Sequence, residues 1–292
     1  MKIAVLGGAG RMGRWFAKFF LDEGFNVIVS DKDRDKLMEV KKALGIETAS
    51  NIEAVKGADR ILISVPIENF EEVVKEVAPY VRNGQTVMDI CSVKEYPVKV
   101  MHENLKTEAI LGTHPLFGPG AKNIRNKSII FTPTNPKERK IAEEFKEWFE
   151  KREAKIFFMS PRKHDELMSL ILGFPHFISM IICDTLLDQA EFTEAMKISG
   201  TSYKMLLTFV EAVLSEKPEF YADLHMRLPR VEGIEETLYR KLGEWMEIIK
   251  QRNKQKFVER MRILQERLEE INPKYSKSYE DMYRFLESQI DE

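Results

Sequence analysis

Cysteine is scarce in this chain of 292 residues, which contains only Cys91 and Cys183. Two isolated thiols cannot build a disulfide framework or a cysteine-rich metal site. Both lie in apolar stretches of the sequence, so we expect them to be buried and reduced. We therefore predict no metal site and no disulfide-stabilised fold.

The chain also lacks an excess of charge of either sign. Its 45 lysine and arginine residues nearly balance its 47 aspartate and glutamate residues, which gives a net charge of −2. Because the two signs are interspersed, we expect no broad basic face that would bind nucleic acid or an anionic membrane. This composition favours a small-molecule substrate whose own charge is met by a few local cations.

No uninterrupted apolar run reaches the ~20 residues that a membrane-spanning helix requires. The longest candidate, at residues 168–182, contains Pro175 and His176, and we expect the proline to break it. The first residues have the pattern of a buried strand rather than of a signal peptide. We therefore predict a cytoplasmic protein without a membrane segment.

Residues 1–160 combine short runs of β-branched residues with amphipathic helical periods. Near-continuous apolar strands that alternate with helices are typical of a parallel sheet covered on both faces. The predicted fold class is therefore α/β, with a Rossmann-type, doubly wound and mostly parallel sheet. Predicted strands cover residues 3–6, 26–30, 60–65, 86–90, 109–112, 128–132 and 155–159, and early helices cover residues 12–23, 34–44 and 70–81.

Residues 161–292 have a different pattern, in which long helical periods replace the strand-like runs. We expect this part to form an all-helical C-terminal domain for substrate binding and dimerisation. Its apolar stripes could be covered by folding back within the chain or by a second copy, and we favour a homodimer. Helices are predicted at residues 164–172, 176–189, 205–215 and 235–251, with a helical tail over 254–291 that is interrupted at Pro273.

The strongest local motif is GAGRMG at residues 8–13, which follows the first predicted strand and opens a helix. Glycines at this spacing let the backbone turn tightly and approach a pyrophosphate, whose charge then lies at the helix N-terminus. The motif therefore predicts a dinucleotide-binding site. Its expected binding residues are Gly8, Gly10, Arg11, Met12 and Gly13.

Asp31 lies at the end of the second predicted strand. A carboxylate there can accept hydrogen bonds from both adenosine ribose hydroxyls and repels a 2′-phosphate, so NAD is favoured over NADP. Lys32 and Arg34 are close enough in sequence to leave NADP as the less favoured alternative. Ser64 and Pro66 lie where a later strand leaves the sheet, and we expect them to line the path of the dinucleotide.

Three further segments lie near strand ends and at the start of the helical half. They are DICSVK at residues 89–94, GTHPLFGP at 112–119, and a stretch that runs from HDEL at 164–167 to FPHF at 174–177. In these segments the chain resembles the prephenate and arogenate dehydrogenases, which show Asp-x-x-Ser-x-Lys, His-Pro and His-Asp…Pro-His patterns in this order. The resemblance covers residues 1 to about 230.

The resemblance implies an NAD-dependent oxidation of the C4 hydroxyl of prephenate with loss of carbon dioxide, which yields 4-hydroxyphenylpyruvate in tyrosine biosynthesis. It implies that His114 is the base or hydrogen-bond acceptor for that hydroxyl, and that Ser92 orients the hydroxyl and the nicotinamide. It places His176 at the substrate's side chain, and Lys94 at a substrate carboxylate or in support of its loop. A neutral imidazole suits the first role, because its pKa of ~6.5 leaves it available as an acceptor near neutral pH.

One stretch departs from the family pattern. Where the family presents an arginine that grips a substrate carboxylate, this chain has ISGTSYKM at residues 198–205, with Lys204 in place of the second arginine. An ammonium offsets the charge of a carboxylate but cannot match it with a planar, two-pronged hydrogen bond. We expect Lys204 to contact the substrate, and the choice between prephenate and arogenate stays open.

The other histidines have no assigned role in the reaction. His102 and His225 belong to no motif, and we expect His164 at a helix start or domain interface.

Two other functions remain open. Dehydrogenases that act on 3-hydroxy acids or reduce imines share this two-domain build, but they rely on acid–base groups in the helical half and lack the loop at His114. A Rossmann domain can also serve a nucleotide-binding regulator without chemistry, since a fold does not prove an activity. The combination of Ser92, His114 and His176 favours an enzyme.

Overall fold

The computed structural model describes residues 1–287 and divides into two compact units. The first unit contains residues 1–168 together with 226–228, and the second contains residues 169–225 and the chain from 229 onward. The division lies within a helix, whereas the sequence placed the domain boundary after residue 160. Residues 288–291 of the predicted helical tail lie outside the described residues.

The first unit is built on one sheet of eight strands in the order β3-β2-β1-β4-β5-β6-β7-β8. All neighbouring strands are parallel except β6 and β7, which are antiparallel. The predicted doubly wound, mostly parallel sheet is thereby confirmed. The strands are β1 (Lys2–Leu6), β2 (Asn26–Ser30), β3 (Glu47–Thr48), β4 (Arg60–Ile63), β5 (Thr86–Asp89), β6 (Ile110–Pro115), β7 (Ser128–Phe131) and β8 (Lys155–Phe158).

Helices cover both faces of this sheet, so the strands at its centre are buried on both sides. Alternate residues of β1 show the division: Ile3 and Val5 belong to one buried apolar cluster, and Ala4 and Leu6 belong to the other. This alternation follows from the two-residue period of a strand. The helices of this unit are α1 (Arg11–Asp22), α2 (Arg34–Leu44), α3 (Asn51–Gly57), α4 (Ile67–Val77), α5 (Glu95–Asn104), α6 (Pro136–Glu150) and α7 (Pro161–Met168).

Two strands of this unit and one cysteine of the second unit differ from the sequence prediction. Strand β3 was missed, because two residues are too short to show a period. Strand β6 was predicted to end at residue 112, but antiparallel pairing with β7 extends it to Pro115, so His114 lies within a strand and pairs with Ile130. Cys91 is buried as expected, whereas Cys183 is only half-buried.

The second unit is entirely helical over its described residues, as predicted for the C-terminal half. Its helices are α8 (Phe174–Leu187), α9 (Phe192–Lys197), α10 (Thr201–Leu214), α11 (Pro218–Arg227), α12 (Val231–Lys250), α13 (Lys254–Ile271) and α14 (Ser278–Glu287). The last two residues of α11 and the residue that follows it, 226–228, belong to the first unit. Many large apolar side chains of the second unit are exposed, among them Ile181, Leu187, Ile198 and Met246.

The expected break at Pro175 is absent. Helices α7 and α8 are joined by a π-helical turn over Ser169–Gly173, and helix runs without interruption from Pro161 to Leu187. Proline offers no backbone N–H, and the wider turn just before it takes up the resulting change in hydrogen-bond register. By length and composition this helix could cross a membrane. In its most apolar stretch of 18 residues, 11% is buried.

Phe70, on α4, provides a test of the first unit's packing, because its side chain is fully buried. We expect Phe70→Ala to lower the free energy of unfolding by about 3–5 kcal/mol, since it removes a buried ring and leaves a cavity. Guanidinium unfolding followed by far-UV circular dichroism measures the change. The matched control is Phe157→Ala, at a ring that is 48% exposed, and equal losses in the two variants would contradict this account of the core.

Candidate active site

The loop between β1 and α1 places backbone where side chains have no room. Gly7 has a φ of +76°, a left-handed conformation that favours glycine, and a Cβ there would lie 2.5 Å from the carbonyl oxygen of Ser64. A Cβ on Gly8 would lie 2.4 Å from Val29, and one on Gly13 would lie 2.3 Å from the carbonyl oxygen of Gly7. The predicted motif therefore folds into a tight cradle, which begins at Gly7, a residue in the left-handed conformation that the motif did not include.

Helix α1 begins at this cradle without a side-chain cap. Its N-cap residue is Gly10, which has no side chain that could accept a hydrogen bond, and the first turn holds no acidic residue. The first N–H groups of a helix carry a partial positive charge and need acceptors. An anion such as a pyrophosphate fits this position. Arg11 and Met12 are the first residues of α1, with Arg11 exposed and Met12 half-buried.

Asp31 follows directly after β2 and is tied to the same loop. One of its carboxylate oxygens accepts a hydrogen bond from the backbone N–H of Ala9 at 3.0 Å, and the other accepts from the N–H of Asp33 at 3.0 Å. Lys32 donates instead to the side chain of Asn69 at 3.2 Å. The carboxylate is therefore held beside the cradle, where the sequence placed the ribose-binding group.

The end of β4 borders the cradle. Ser64 is half-buried and donates its backbone N–H to the carbonyl oxygen of Leu6 at 2.8 Å, which joins β4 to the end of β1. Pro66 is exposed and is the N-cap residue of α4. Both residues thus lie at the carboxyl edge of the sheet, which is where doubly wound sheets bind their ligands.

A fully buried ion pair joins the ends of β5 and β6. The ammonium of Lys94 donates to a carboxylate oxygen of Asp89 and, at 2.7 Å, to the carbonyl oxygen of Thr113. The side chains of Lys94 and Asp89 are both 0% exposed. The same oxygen of Asp89 accepts the N–H of Cys91 at 2.8 Å. The lysine that the sequence assigned to a substrate carboxylate or to its loop is therefore bonded within the loop.

His114 extends from β6 beyond the last residue of β5 and is buried. Its Nδ1 lies 2.8 Å from Nε2 of His164 at the start of α7. Nδ1 of His164 lies in turn 2.7 Å from Oδ1 of Asp165, and both of these residues are buried. Two imidazoles and a carboxylate therefore form a continuous chain of hydrogen bonds.

Asp165 also connects this chain to the loop that carries Ser92. Its Oδ1 accepts the backbone N–H of Lys94 at 2.7 Å, and its Oδ2 accepts the N–H of Glu95, the first residue of α5, at 2.9 Å. Ser92 is half-buried between β5 and α5. One carboxylate thus fixes both the loop and, through His164, the ring of His114.

Burial keeps both imidazoles neutral near neutral pH. Burial and then the charges of His164 and Lys94 hold the pKa of His114 well below its ordinary value of 6.5. Burial also lowers the pKa of His164, although its hydrogen bond to Asp165 acts in the opposite direction. A neutral imidazole has one nitrogen that donates and one that accepts, so His114 can serve as a base.

His176 and Lys204 belong to the second unit. The His176 ring, on α8, packs edge-on against Tyr221 at a centroid distance of 4.8 Å, and its Nδ1 is buried without a hydrogen-bond partner among the described residues. Burial and the charge of His225 lower the pKa of His176 to about 4. Lys204 is exposed in the first turn of α10.

The sequence interpretation missed the part played by His164 and Asp165. It placed His164 at a helix start or a domain interface, and the structure does put it in the first turn of α7, but its ring contacts His114 and is fully buried. The His-Asp pair itself was the available signal. A histidine followed by an aspartate at a helix start can join a site formed elsewhere, but no local pattern indicates which side chain it meets.

Two family models match consecutive parts of this chain. Residues 16–158 match a prephenate dehydrogenase nucleotide-binding domain, and residues 160–263 match a prephenate dehydrogenase dimerization domain. The first match starts after the glycine loop, so the loop is supported by its own geometry. Together the two matches cover most of both structural units.

Individual relatives agree with these matches. A probable arogenate/prephenate dehydrogenase of Methanocaldococcus jannaschii is 36% identical over 272 residues, which are 90% of this chain and 60% of that protein. The chain spans between 60% and 64% of the length of the first curated relatives it matches.

Solved structures share the fold at lower identity. The prephenate dehydrogenase of A. aeolicus, in complex with hydroxyphenyl propionate and NAD+, has a TM-score of 0.78 at 22% identity and covers 93% of this chain and 98% of its own. The Synechocystis arogenate dehydrogenase has a TM-score of 0.73 at 18% identity, with coverages of 94% and 99%. At these identities the likeness establishes the common fold.

The glycine cradle leads to a test with one added methyl group. We expect Gly13→Ala to weaken the binding of NAD about tenfold or more, because the new Cβ would collide with backbone atoms of Gly7 and Gly8 that cannot move independently. Isothermal titration calorimetry measures the dissociation constant. The control is Gly243→Ala on α12, where nothing lies within 4 Å of the added atom. Unchanged affinity in Gly13→Ala would remove the cradle from the binding site.

Proposed function

This chain belongs to the prephenate dehydrogenase family, and we propose that it catalyses the NAD-dependent oxidative decarboxylation of prephenate to 4-hydroxyphenylpyruvate in tyrosine biosynthesis. One observation carries the proposal: a buried, neutral imidazole at position 114 lies at the carboxyl edge of the sheet that also forms the glycine cradle. This edge is the ligand-binding edge of doubly wound sheets.

The residues of the cradle suit NAD. The start of α1 and the glycines of the cradle, Gly8, Gly10 and Gly13, would hold the pyrophosphate. Asp31 would accept hydrogen bonds from the ribose hydroxyls. The remaining expected contacts are Arg11, Met12, Ser64 and Pro66. When bound, NAD supplies the acceptor for the hydride that leaves C4 of the substrate. NADP is less favoured, because its 2′-phosphate would approach the carboxylate of Asp31.

The protein's own contribution is to bind, orient and deprotonate. The free nitrogen of His114 accepts the proton of the C4 hydroxyl, and Ser92 orients that hydroxyl. Loss of the ring carboxylate as carbon dioxide is driven by aromatisation, so no covalent intermediate with the protein is needed. A positioned base contributes about 10²–10⁴ in rate to such a step.

Three further residues have proposed roles. His176 has a buried nitrogen without a partner, and an unpaired buried polar atom is costly, so we assign it to the substrate's side chain. Lys204 is exposed and can offset a substrate carboxylate's charge. For Lys94, whose ammonium is already bonded to Asp89 and Thr113, the proposed role is support of the loop.

Arogenate is the second candidate substrate, since the M. jannaschii relative is named for both acids. The two acids share the reacting ring and differ in the side chain, which carries a keto group in prephenate and an amine in arogenate. The proposed chemistry at His114 is the same for both. Their relative catalytic efficiency depends on contacts such as His176.

The reaction is tested by following NAD reduction at 340 nm with prephenate and with arogenate. We expect turnover of at least one acid, and a loss of about 100-fold or more in kcat for His114→Asn, because an amide cannot accept the proton. The control is His102→Asn. The imidazole of His102 lies 3.0 Å from Glu138, whereas that of His114 contacts His164. No turnover of either acid by the wild-type chain would overturn the proposed function.

The proposed partner is a second copy of this chain. The match of residues 160–263 to a dimerization domain supports it, as do the exposed apolar side chains of the second unit. Exposed apolar surface of this extent is typical of an interface. In this proposal the protein is cytoplasmic, and the apolar helix that ends at Leu187 is covered by protein rather than by lipid.

The dimer is tested by sedimentation. The sedimenting species of the wild-type chain should have twice the mass of one chain, which is 34.0 kDa. The double variant Ile181→Glu, Leu187→Glu should be a monomer, because the new carboxylates on α8 would be desolvated in the interface. The control is Met38→Glu on α2, where the exposed fraction of 48% is close to the 45% of Ile181. A wild-type monomer at micromolar concentration would contradict the proposal.

A further inference from the structure

We propose that His164 and Asp165 are positioning residues that lock His114 in one tautomer, with hydrogen on Nδ1 and the lone pair on Nε2. The geometry that supports this lies within the first unit and involves no ligand. The inference rests on the proposed function in one respect: the substrate hydroxyl whose proton this lone pair would accept.

The direction of the hydrogen bonds is set by the carboxylate of Asp165. Two of its neighbours are the backbone N–H groups of Lys94 and Glu95, which can only donate. A carboxylate that receives these bonds acts as an acceptor. Another neighbour, Nδ1 of His164 at 2.7 Å, must therefore carry a hydrogen and donate it.

The rest of the chain of bonds follows from counting hydrogens. A neutral imidazole carries one N–H, so His164 with hydrogen on Nδ1 presents a lone pair at Nε2. That lone pair faces Nδ1 of His114 at 2.8 Å, and a hydrogen bond requires the hydrogen there to belong to His114. His114 is then left with its lone pair on Nε2, the nitrogen that does not contact His164.

The same arrangement provides for the positive charge that follows proton transfer. When Nε2 of His114 accepts the hydroxyl proton, the O–H bond breaks and an N–H bond forms, and the ring becomes an imidazolium. Its Nδ1 proton can move to Nε2 of His164, which leaves His114 neutral and places the charge directly beside Asp165. No further oxidant, reductant or proton source is required.

The charged surroundings make this support necessary. Besides Asp165, the charged groups that affect the two rings are Lys94 and Asp89, which are paired with each other at the ends of β5 and β6. The ammonium of Lys94 disfavours a second positive charge on either ring. Asp165 is the carboxylate that is hydrogen-bonded to one of these rings, and through His164 it stabilises a positive charge that arrives from His114.

The tautomer can be observed without any assay. The protein contains five histidines, so imidazole ¹⁵N labelling followed by long-range ¹H–¹⁵N correlation distinguishes a nitrogen that carries hydrogen from one that does not. At pH 7 we expect His114 to be protonated on Nδ1, and His164→Leu to remove this preference. A wild-type His114 with its hydrogen on Nε2 would overturn the proposal, whatever the enzyme's substrate.

Kinetics separate positioning from a merely structural role. We expect Asp165→Asn to lower kcat about 100-fold or more with little change in KM, and to move the acidic limb of the kcat/KM profile to lower pH, since the imidazolium loses its carboxylate. His164→Gln should retain more activity than His164→Leu, because only the amide oxygen can still accept from Nδ1 of His114. A wild-type pH profile in Asp165→Asn, or equal activity of the two His164 variants, would refute the proposed positioning of His114 by His164 and Asp165.

The control is again a histidine paired with a carboxylate outside the site. His102→Gln removes the imidazole beside Glu138 and should leave kcat, KM and the pH profile unchanged. If Asp165→Asn fails to fold, the wild-type ¹⁵N spectrum still decides the tautomer. If neither acid is turned over while His114 has the expected tautomer, the proposed function fails and the inference about positioning stands.

Discussion

The carboxylate of Asp165 joins parts of the first unit that are distant in sequence. It receives the backbone N–H groups at the start of α5 and the imidazole of His164, and through that ring it fixes His114 at the end of β6. A buried carboxylate is stable only where donors surround it, because its desolvation is costly. The requirement for those donors holds the loop of Ser92 and the candidate base in one geometry.

A second buried pair makes this geometry rigid. Lys94 and Asp89 have no exposed side-chain surface, and the ammonium also binds the carbonyl oxygen of Thr113, the residue before His114. Breaking a buried ion pair by removing one partner costs about 3–5 kcal/mol, so neither side chain is free to move toward solvent. The family resemblance left Lys94 two roles, at a substrate carboxylate or in support of its loop, and its ammonium is hydrogen-bonded within the loop.

The two units differ in how their apolar surface is covered. In the first, alternate residues of the strands pack into clusters on the two faces of the sheet, and the described strands of its centre are buried. In the second, helices such as α8 and α12 expose large apolar side chains, among them Ile181 and Met246. Amphipathic helices are stabilised by covering their apolar faces, and residues 160–263 match the dimerization domain of the prephenate dehydrogenases.

The sequence by itself determined the α/β sheet, the helical second half and the glycine loop, because two-residue and 3.6-residue periods and tight glycine turns are local properties. It also pointed to His114, through residues that resemble a family. Position 175 showed the limit of local rules, since a π-helical turn absorbed the proline that was expected to end the helix. Only the tertiary structure decided that Lys94 is buried against Asp89 and that His164, 50 residues from His114, meets its ring. Such pairings depend on which strand and helix ends the fold brings together, and on the cost of leaving a buried polar atom without a partner, neither of which is written in any short segment of the chain.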